Sequence, residues 1–252
     1  MDVLASSKTE GRATTRVLAA IPAYNEAATI EHVVRRVRES LPDFDLLVIN
    51  DGSTDGTGET LDRVGVMTAT HLCNLGYGRA IQTAIKFAHE CDYDVLITLD
   101  ADGQHHPEQI LGLYQASRES SWDVSIGSRY VKTHDYSESP LGRRIGMRLF
   151  ALFVRLITGC RIYDTTSGLK VINRSVFEVL GRWHFIDFHA EAIVYLLRLG
   201  YSIGEYPITV AQRTHGQSMY SMLSHVAYPL KTMLILVLGL FEAELIRRKG
   251  YL

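Results

Sequence analysis

The chain is 252 residues long and has only three cysteines, Cys73, Cys91 and Cys160. Odd in number and widely spaced, they exclude a disulfide framework and a zinc site built on cysteine pairs, and they fit a reducing compartment. No charge of one sign dominates either. The 26 Lys and Arg stand against 28 Asp and Glu, a formal charge of −2, so no global basic field points to nucleic acid, and local positive clusters must carry any anion binding. A long apolar run is also missing. The best candidate, T-M-L-I-L-V-L-G-L-F at 232–241, lies between Lys231 and Glu242 and falls well short of the roughly 20 residues a spanning helix needs. Residues 1–16 are polar with no apolar core of a signal peptide; they read as a loose tail, and nothing in them predicts export.

What the chain does have is a regular alternation of short apolar runs and helical patterns, which predicts a single α/β domain. Strands are expected at 17–21, 46–49, 66–69, 95–99, 124–126, 169–172 and 202–205. The run at 95–99 is bounded by charge and too short for a helix, so it reads as a strand buried on both faces in mid-sheet. It opens without a break into Asp100-Ala101-Asp102-Gly103-Gln104-His105. Ligands of open α/β sheets bind beyond the carboxyl ends of the strands, where this cluster falls. Two carboxylates separated by Ala101, with Gly103 to let the backbone turn, can serve a sugar hydroxyl and a cation at once. Asp102 with Gln104 suits Mg²⁺ or Mn²⁺ shared with a nucleotide. A helical Ca²⁺ loop is excluded, because it needs Gly where His105 stands and Glu where Leu111 stands.

Polar groups collect at the other strand ends too. Pro22-Ala23-Tyr24-Asn25-Glu26 follows the first strand; Tyr24 has two uses open to it, stacking on a base or half-buried packing, and Glu26 can accept from a base or ribose. Asn50-Asp51-Gly52-Ser53 follows the second. Asp51 is placed for a nucleobase or ribose, whereas Ser53, Thr54 and Asp55 read as turn and cap residues for the next helix. Gly76 and Gly78 precede a helix without the third glycine of the dinucleotide fingerprint, and Arg79 beside them either reaches a phosphate or is solvated. Arg129 at the end of the fifth strand suits phosphate oxygens. Arg143, Arg144 and Arg148 start an amphipathic helix that would attract a lipid phosphate or simply face water. Asp164 is either a cap or an acceptor-side carboxylate, Glu191 a candidate to position an arginine, and 213–218, R-T-H-G-Q-S, a segment able to close over a diphosphate. The apolar tail predicts a helix on a membrane surface or against a partner, Arg247, Arg248 and Lys249 suiting an anionic surface.

With Pro22 to Glu26, Asn50 to Ser53, Asp100 to His105, Gly127-Ser128-Arg129-Tyr130, Thr166-Ser167-Gly168 and Arg213 to Ser218 in this order, the chain resembles family-2 glycosyltransferases, most closely the dolichol/polyprenyl-phosphate mannose synthase branch. The resemblance implies an inverting enzyme of GT-A fold: a Rossmann-like, mostly parallel sheet flanked by helices over 17–221, followed by the C-terminal apolar helix in 222–252. It implies a nucleotide-diphospho-sugar donor, with Pro22, Tyr24, Glu26, Asp51, Asp100 and Arg79 around the nucleotide, Asp102 and Gln104 on Mg²⁺ or Mn²⁺, and Arg129 and Arg213 on phosphates. The acceptor it implies is a polyprenyl phosphate held by Arg143 and Ser218, at the cytoplasmic surface of a membrane or beside a small membrane protein. A saccharide hydroxyl is the alternative acceptor, with Asp164 as base; a binding protein without catalysis is a third reading. Gly146 and Met147 stand where that branch places a serine, and Met219 where a lysine often follows Gly-x-Ser.

Overall fold

The computed structural model describes residues 14–103, 106–132, 141–182 and 188–209. Seven strands form one sheet: β1 Val17–Ala23, β2 Asp45–Asn50, β3 Met67–Thr70, β4 Val95–Thr98, β5 Val124–Ser128, β6 Lys170–Asn173 and β7 Ile203–Pro207, in the order β3-β2-β1-β4-β6-β5-β7. β1 pairs in parallel with β2 and β4, β2 with β3, and β5 with β7. β6 alone runs antiparallel, between β4 and β5. The expected mostly parallel sheet is therefore present, with one reversed strand that an apolar pattern does not announce, since pairing direction is set by the route of the connecting chain. β4 lies fourth of seven, mid-sheet as its uninterrupted apolar run requires.

Period-two alternation sends the strand side chains to two cores. Leu18, Ala20, Leu47 and Ile49 face one side, under α3 (Tyr77–Glu90), α5 (Leu141–Thr158), α6 (Phe177–Arg182) and α7 (Ala190–Arg198). Val17, Ala19, Ile21 and Val48 face the other, under α1 (Ile30–Ser40), α2 (Thr57–Val64) and α4 (Pro107–Ser120). α1 and α3 each contribute one stripe: α1 buries Ile30, Val33, Val34 and Val37, and α3 buries Ile81, Ala84, Ile85 and Ala88, whereas α7 is buried at every residue from Ala190 to Leu196. Pro107 opens α4, where a missing N–H costs nothing. β3 is an edge strand, and none of its four residues is buried, with Met67 exposed.

Among the described residues no helix is long and apolar enough to cross a membrane. The apolar run 232–241, the segment 213–218 with Arg213 and Ser218, and Gln104 lie outside the described residues.

Candidate active site

The carboxyl ends of β1, β2 and β4 converge along one edge of the sheet. The first two turns are laced together: Asn25 N donates to Ser53 Oγ at 3.0 Å, Thr54 N to Asn25 Oδ1 at 2.9 Å, Glu26 N to Thr57 Oγ1 at 2.9 Å and Ala27 N to Asp55 Oδ2 at 3.0 Å. Asp55 Oδ1 also accepts from Thr57 N at 3.1 Å, satisfying the first amide of α2 from the residue before its N-cap, Gly56. Asp55 thus serves the turn role expected of it but is not the N-cap residue, and Ser53 and Asn25 join the two loops. Tyr24 projects from this lacing with 41% of its surface exposed, a ring available for stacking. Glu26 lies half-buried and accepts from Thr29 Oγ1 at 2.7 Å, beside the half-buried Pro22.

Asp51 is buried, and its carboxylate organises the next loop. It accepts from Leu75 N at 2.9 Å and Gly76 N at 2.8 Å, and lies 2.6 Å from His71 Nδ1, whose Nε2 is 2.9 Å from Thr83 Oγ1 on α3. The loop crosses directly over Gly52, where an added Cβ would overlap the backbone of Cys73 and Asn74. Asp51, placed by its sequence position for a nucleobase or ribose, therefore also holds the loop that follows β3. Arg79 donates to Gln82 Oε1 at 2.6 Å along α3, and Gln82 in turn donates to the Gly181 carbonyl, which ties Arg79 to its own helix.

Beyond β4, Asp100 is half-buried and Ala101 buried; Asp102 is half-buried, and Gly103 makes the turn at φ +71°. The Asp100 carboxylate rests against Gly168, where any side chain would overlap both its oxygens. Thr98 Oγ1 donates to the Gly168 carbonyl at 2.7 Å and fixes that approach. A larger residue than the glycine of the Thr166-Ser167-Gly168 motif would have to displace the Asp100 carboxylate.

Arg129 and Asp164 form a bidentate pair, Nε to Oδ2 at 2.7 Å and an Nη to Oδ1 at 2.8 Å, with the Arg129 amide donating to Oδ2 at 3.1 Å and the guanidinium also to Thr166 Oγ1 at 3.0 Å. The Asp164 side chain is fully buried and that of Arg129 is 22% exposed. Burial alone would raise the Asp164 pKa, but the Arg129 hydrogen bonds and charge outweigh it and hold the carboxyl below its usual range. Beneath the pair, Glu205 accepts from the Tyr163 and Asp164 amides, both at 2.8 Å, and burial raises its pKa.

Lys170, at the start of β6, is fully buried among these acids. It donates to the Ser167 carbonyl and lies 5.5 Å over the Phe188 ring. Burial pushes its pKa down to about 8, with Asp100, Asp164 and Glu191 opposing that fall. Glu191, a candidate to position an arginine, is one of the acids whose charge acts on this lysine. Lys170, His71 and Glu205 do not emerge from the motifs. The available signal for Lys170 is a single cation inside the apolar run L-K-V-I, a residue type almost never fully buried unless paired.

Arg143 falls in α5, and its side chain lies outside the described set. The described residues contain no group of three or more His, Cys, Asp or Glu able to hold a metal. A carboxylate from Asp102 completed by oxygens from a diphosphate and water is still the donor set a hard cation prefers, so the edge fits Mg²⁺ or Mn²⁺ shared with a ligand.

A match to the glycosyl transferase family 2 model spans residues 19–181. An undecaprenyl-phosphate mannosyltransferase of Micrococcus luteus is 33% identical over 219 residues, covering 82% of this chain and 88% of that one. A polyprenol monophosphomannose synthase of Mycolicibacterium smegmatis is 34% identical over 226 residues, covering 83% of each. Among solved structures, a Mycobacterium tuberculosis glucosyl-3-phosphoglycerate synthase with Mn²⁺, UDP-glucose and phosphoglyceric acid has TM-score 0.67 at 18% identity, covering 90% of this chain and 80% of that one. The Pyrobaculum calidifontis mannosyltransferase in complex with GDP-Man and Mn²⁺ has TM-score 0.59 at 17% identity, covering 85% and 61%. These likenesses establish the GT-A-like fold of the sheet and its flanking helices. The match from β1 to α6 and the two curated relatives have one common explanation: the chain is a glycosyltransferase of family 2, in the branch that contains the polyprenyl-phosphate sugar transferases.

Proposed function

We propose that the protein moves a sugar from a nucleoside-diphosphate donor onto a polyprenyl phosphate, with inversion at the anomeric carbon and with a divalent cation at Asp102 and Gln104. The observation that carries the choice of acceptor is the Arg129–Asp164 pair. A hydroxyl acceptor must lose a proton, and Asp164 was the candidate base; here both its oxygens are engaged by a guanidinium and its pKa is lowered, which makes it a poor proton acceptor at neutral pH. A phosphate monoester is already ionised and needs no base. The names of the M. luteus and M. smegmatis relatives support the same acceptor class.

In this reading Tyr24 stacks on the base, Glu26 and Asp51 bound the nucleoside, and Asp100, braced by Gly168, orients the ribose or sugar. Arg129, held in plane by Asp164, directs its remaining edge toward the diphosphate with Arg213. A bound Mg²⁺ or Mn²⁺ would offset negative charge growing on the departing diphosphate. Arg143 and Ser218 receive the acceptor phosphate, and the chain works at the cytoplasmic face of a membrane, attached through its C-terminal residues.

The test is nucleoside diphosphate release by purified protein with Mn²⁺ and a panel of nucleotide sugars, with and without a polyprenyl phosphate. Release that depends on the lipid phosphate is expected, and it should vanish in Asp102→Asn, which keeps the side-chain shape and removes the charge. Release driven by a saccharide hydroxyl alone would move the assignment to the alternative acceptor. Full turnover in Asp102→Asn would remove the metal assignment.

A further inference from the structure

Three of the four lone-pair positions on the Asp51 carboxylate are occupied from within the chain. Oδ1 accepts from Leu75 N at 2.9 Å and lies 2.6 Å from His71 Nδ1, and Oδ2 accepts from Gly76 N at 2.8 Å. A carboxylate can only accept, so Nδ1 carries the hydrogen of this contact, and Nε2 is left to accept from the Thr83 hydroxyl at 2.9 Å. The His71 backbone is fixed as well, its N–H donating to the Asn50 carbonyl at 2.9 Å. The side chains of Asp51 and His71 are only 5% and 12% exposed. The loop that brings the donors lies directly on Gly52, so the carboxylate and its three partners form one preassembled unit.

Tyr24 and Asp51 follow Ala23 and Asn50, which are partners across β1 and β2. They leave the sheet side by side, and a base stacked on the exposed Tyr24 ring brings its hydrogen-bonding edge to Asp51. The carboxylate has one position left to offer it, on Oδ2. Guanine presents two neighbouring donors on that edge, N1–H and the N2 amino group, and pairing both takes both oxygens of a carboxylate at once. Uracil presents a single donor, the imide N3–H, between two carbonyls.

We propose that the base site selects uracil over guanine and that His71 sets this choice: by filling Oδ1 it leaves Asp51 able to take the single imide N–H of a uridine diphosphate and unable to take the paired donors of a guanosine diphosphate. Guanine would bury its second donor against the side of the carboxylate that His71 and Leu75 already fill. A buried polar group left unmatched discriminates between ligands more strongly than a missing apolar contact does. His71 acts through Asp51 and is a positioning residue. This inference rests on the nucleotide site of the proposed reaction and names the donor class that enters it, a uridine-diphosphate sugar.

The experiment is titration calorimetry of UDP, GDP, CDP and ADP against the full-length chain with Mn²⁺, on wild type, His71→Leu and His71→Asn, with thermal melting of each protein. Wild type should bind UDP at least about fivefold more tightly than GDP, the smallest factor expected for one buried donor left unmatched. His71→Leu opens a second position on the carboxylate and should narrow the UDP-to-GDP ratio by a similar factor. His71→Asn, whose amide can donate to the same oxygen, should keep the ratio close to wild type. A loosening of the loop without any role in base choice would weaken all the nucleotides together and leave the ratio unmoved in His71→Leu, and that result would overturn the role of His71. Wild type that binds GDP, CDP or ADP as tightly as UDP would overturn the base assignment with no variant needed. Failure of all four to bind would overturn it together with the donor site. Lipid-phosphate-dependent release from a GDP-sugar and not from a UDP-sugar would leave the proposed reaction standing and overturn this inference alone.

Discussion

Asp164→Asn removes one charge from the best-determined ion pair at the site and keeps its shape. The wild-type carboxylate accepts two guanidinium bonds at 2.7 and 2.8 Å and a backbone amide at 3.1 Å, with its side chain fully buried. An asparagine turns one oxygen into an amide that cannot accept, and a bond to a charged group is worth about 1.5–3 kcal/mol. It also leaves Arg129 without its counter-charge, and stripping one partner from a buried pair costs about 3–5 kcal/mol. Water reaches Arg129 through the 22% of its side chain that is exposed, which favours the lower end, about 3 kcal/mol. For a chain of this size that is a fall of roughly 6–12 °C in melting temperature. Urea unfolding and calorimetry at neutral pH measure it. The sign with pH follows from the depressed carboxyl. Its stabilisation is complete above the unfolded value of about 3.9 and is lost as pH falls through the lower folded value, so the gap between wild type and variant should close below about pH 4. A double variant, R129M/D164L, should lose less than the two single changes summed. A gap at neutral pH smaller than about 1 kcal/mol, within the range of an exposed pair, would refute the pairing as drawn.

Gly168→Ala should leave the fold standing at a cost of about 1–3 kcal/mol while displacing the Asp100 carboxylate. Donor KM or kcat should worsen by up to about a hundredfold, and steady-state kinetics within twofold of wild type would remove Asp100 from the donor site. Lys170 is held near pKa 8 against an ordinary 10.5, so between those values the unfolded chain binds more protons there. Its contribution to stability should therefore rise with pH across that window, by no more than on the order of 3 kcal/mol, and Lys170→Met should lack that slope. Parallel urea titrations of the two proteins at the ends of the window check it; identical slopes would mean that burial does not depress the Lys170 pKa.

The fold was legible because its signals are local. Strands buried on both faces must read as apolar runs, as β1, β2 and β4 do, and helices packed on one side must show a 3.6-residue stripe, as α1 and α3 do. The turn chemistry after each strand places Tyr24, Asp51, Asp100 and Asp102 at one edge, because parallel strands deliver their carboxyl ends together. Pairings between distant residues were not legible. That Arg129 spends its guanidinium on Asp164, that Asp51 anchors Leu75 and Gly76, and that the charge of Glu191 acts on Lys170 all depend on which segments the sheet order brings side by side. The reversed direction of β6 decided most of this. Running antiparallel between β4 and β5, it carries Gly168 onto Asp100 and buries Lys170 in the centre of the acids, and that direction comes from the path of the chain through α5, which no local pattern encodes.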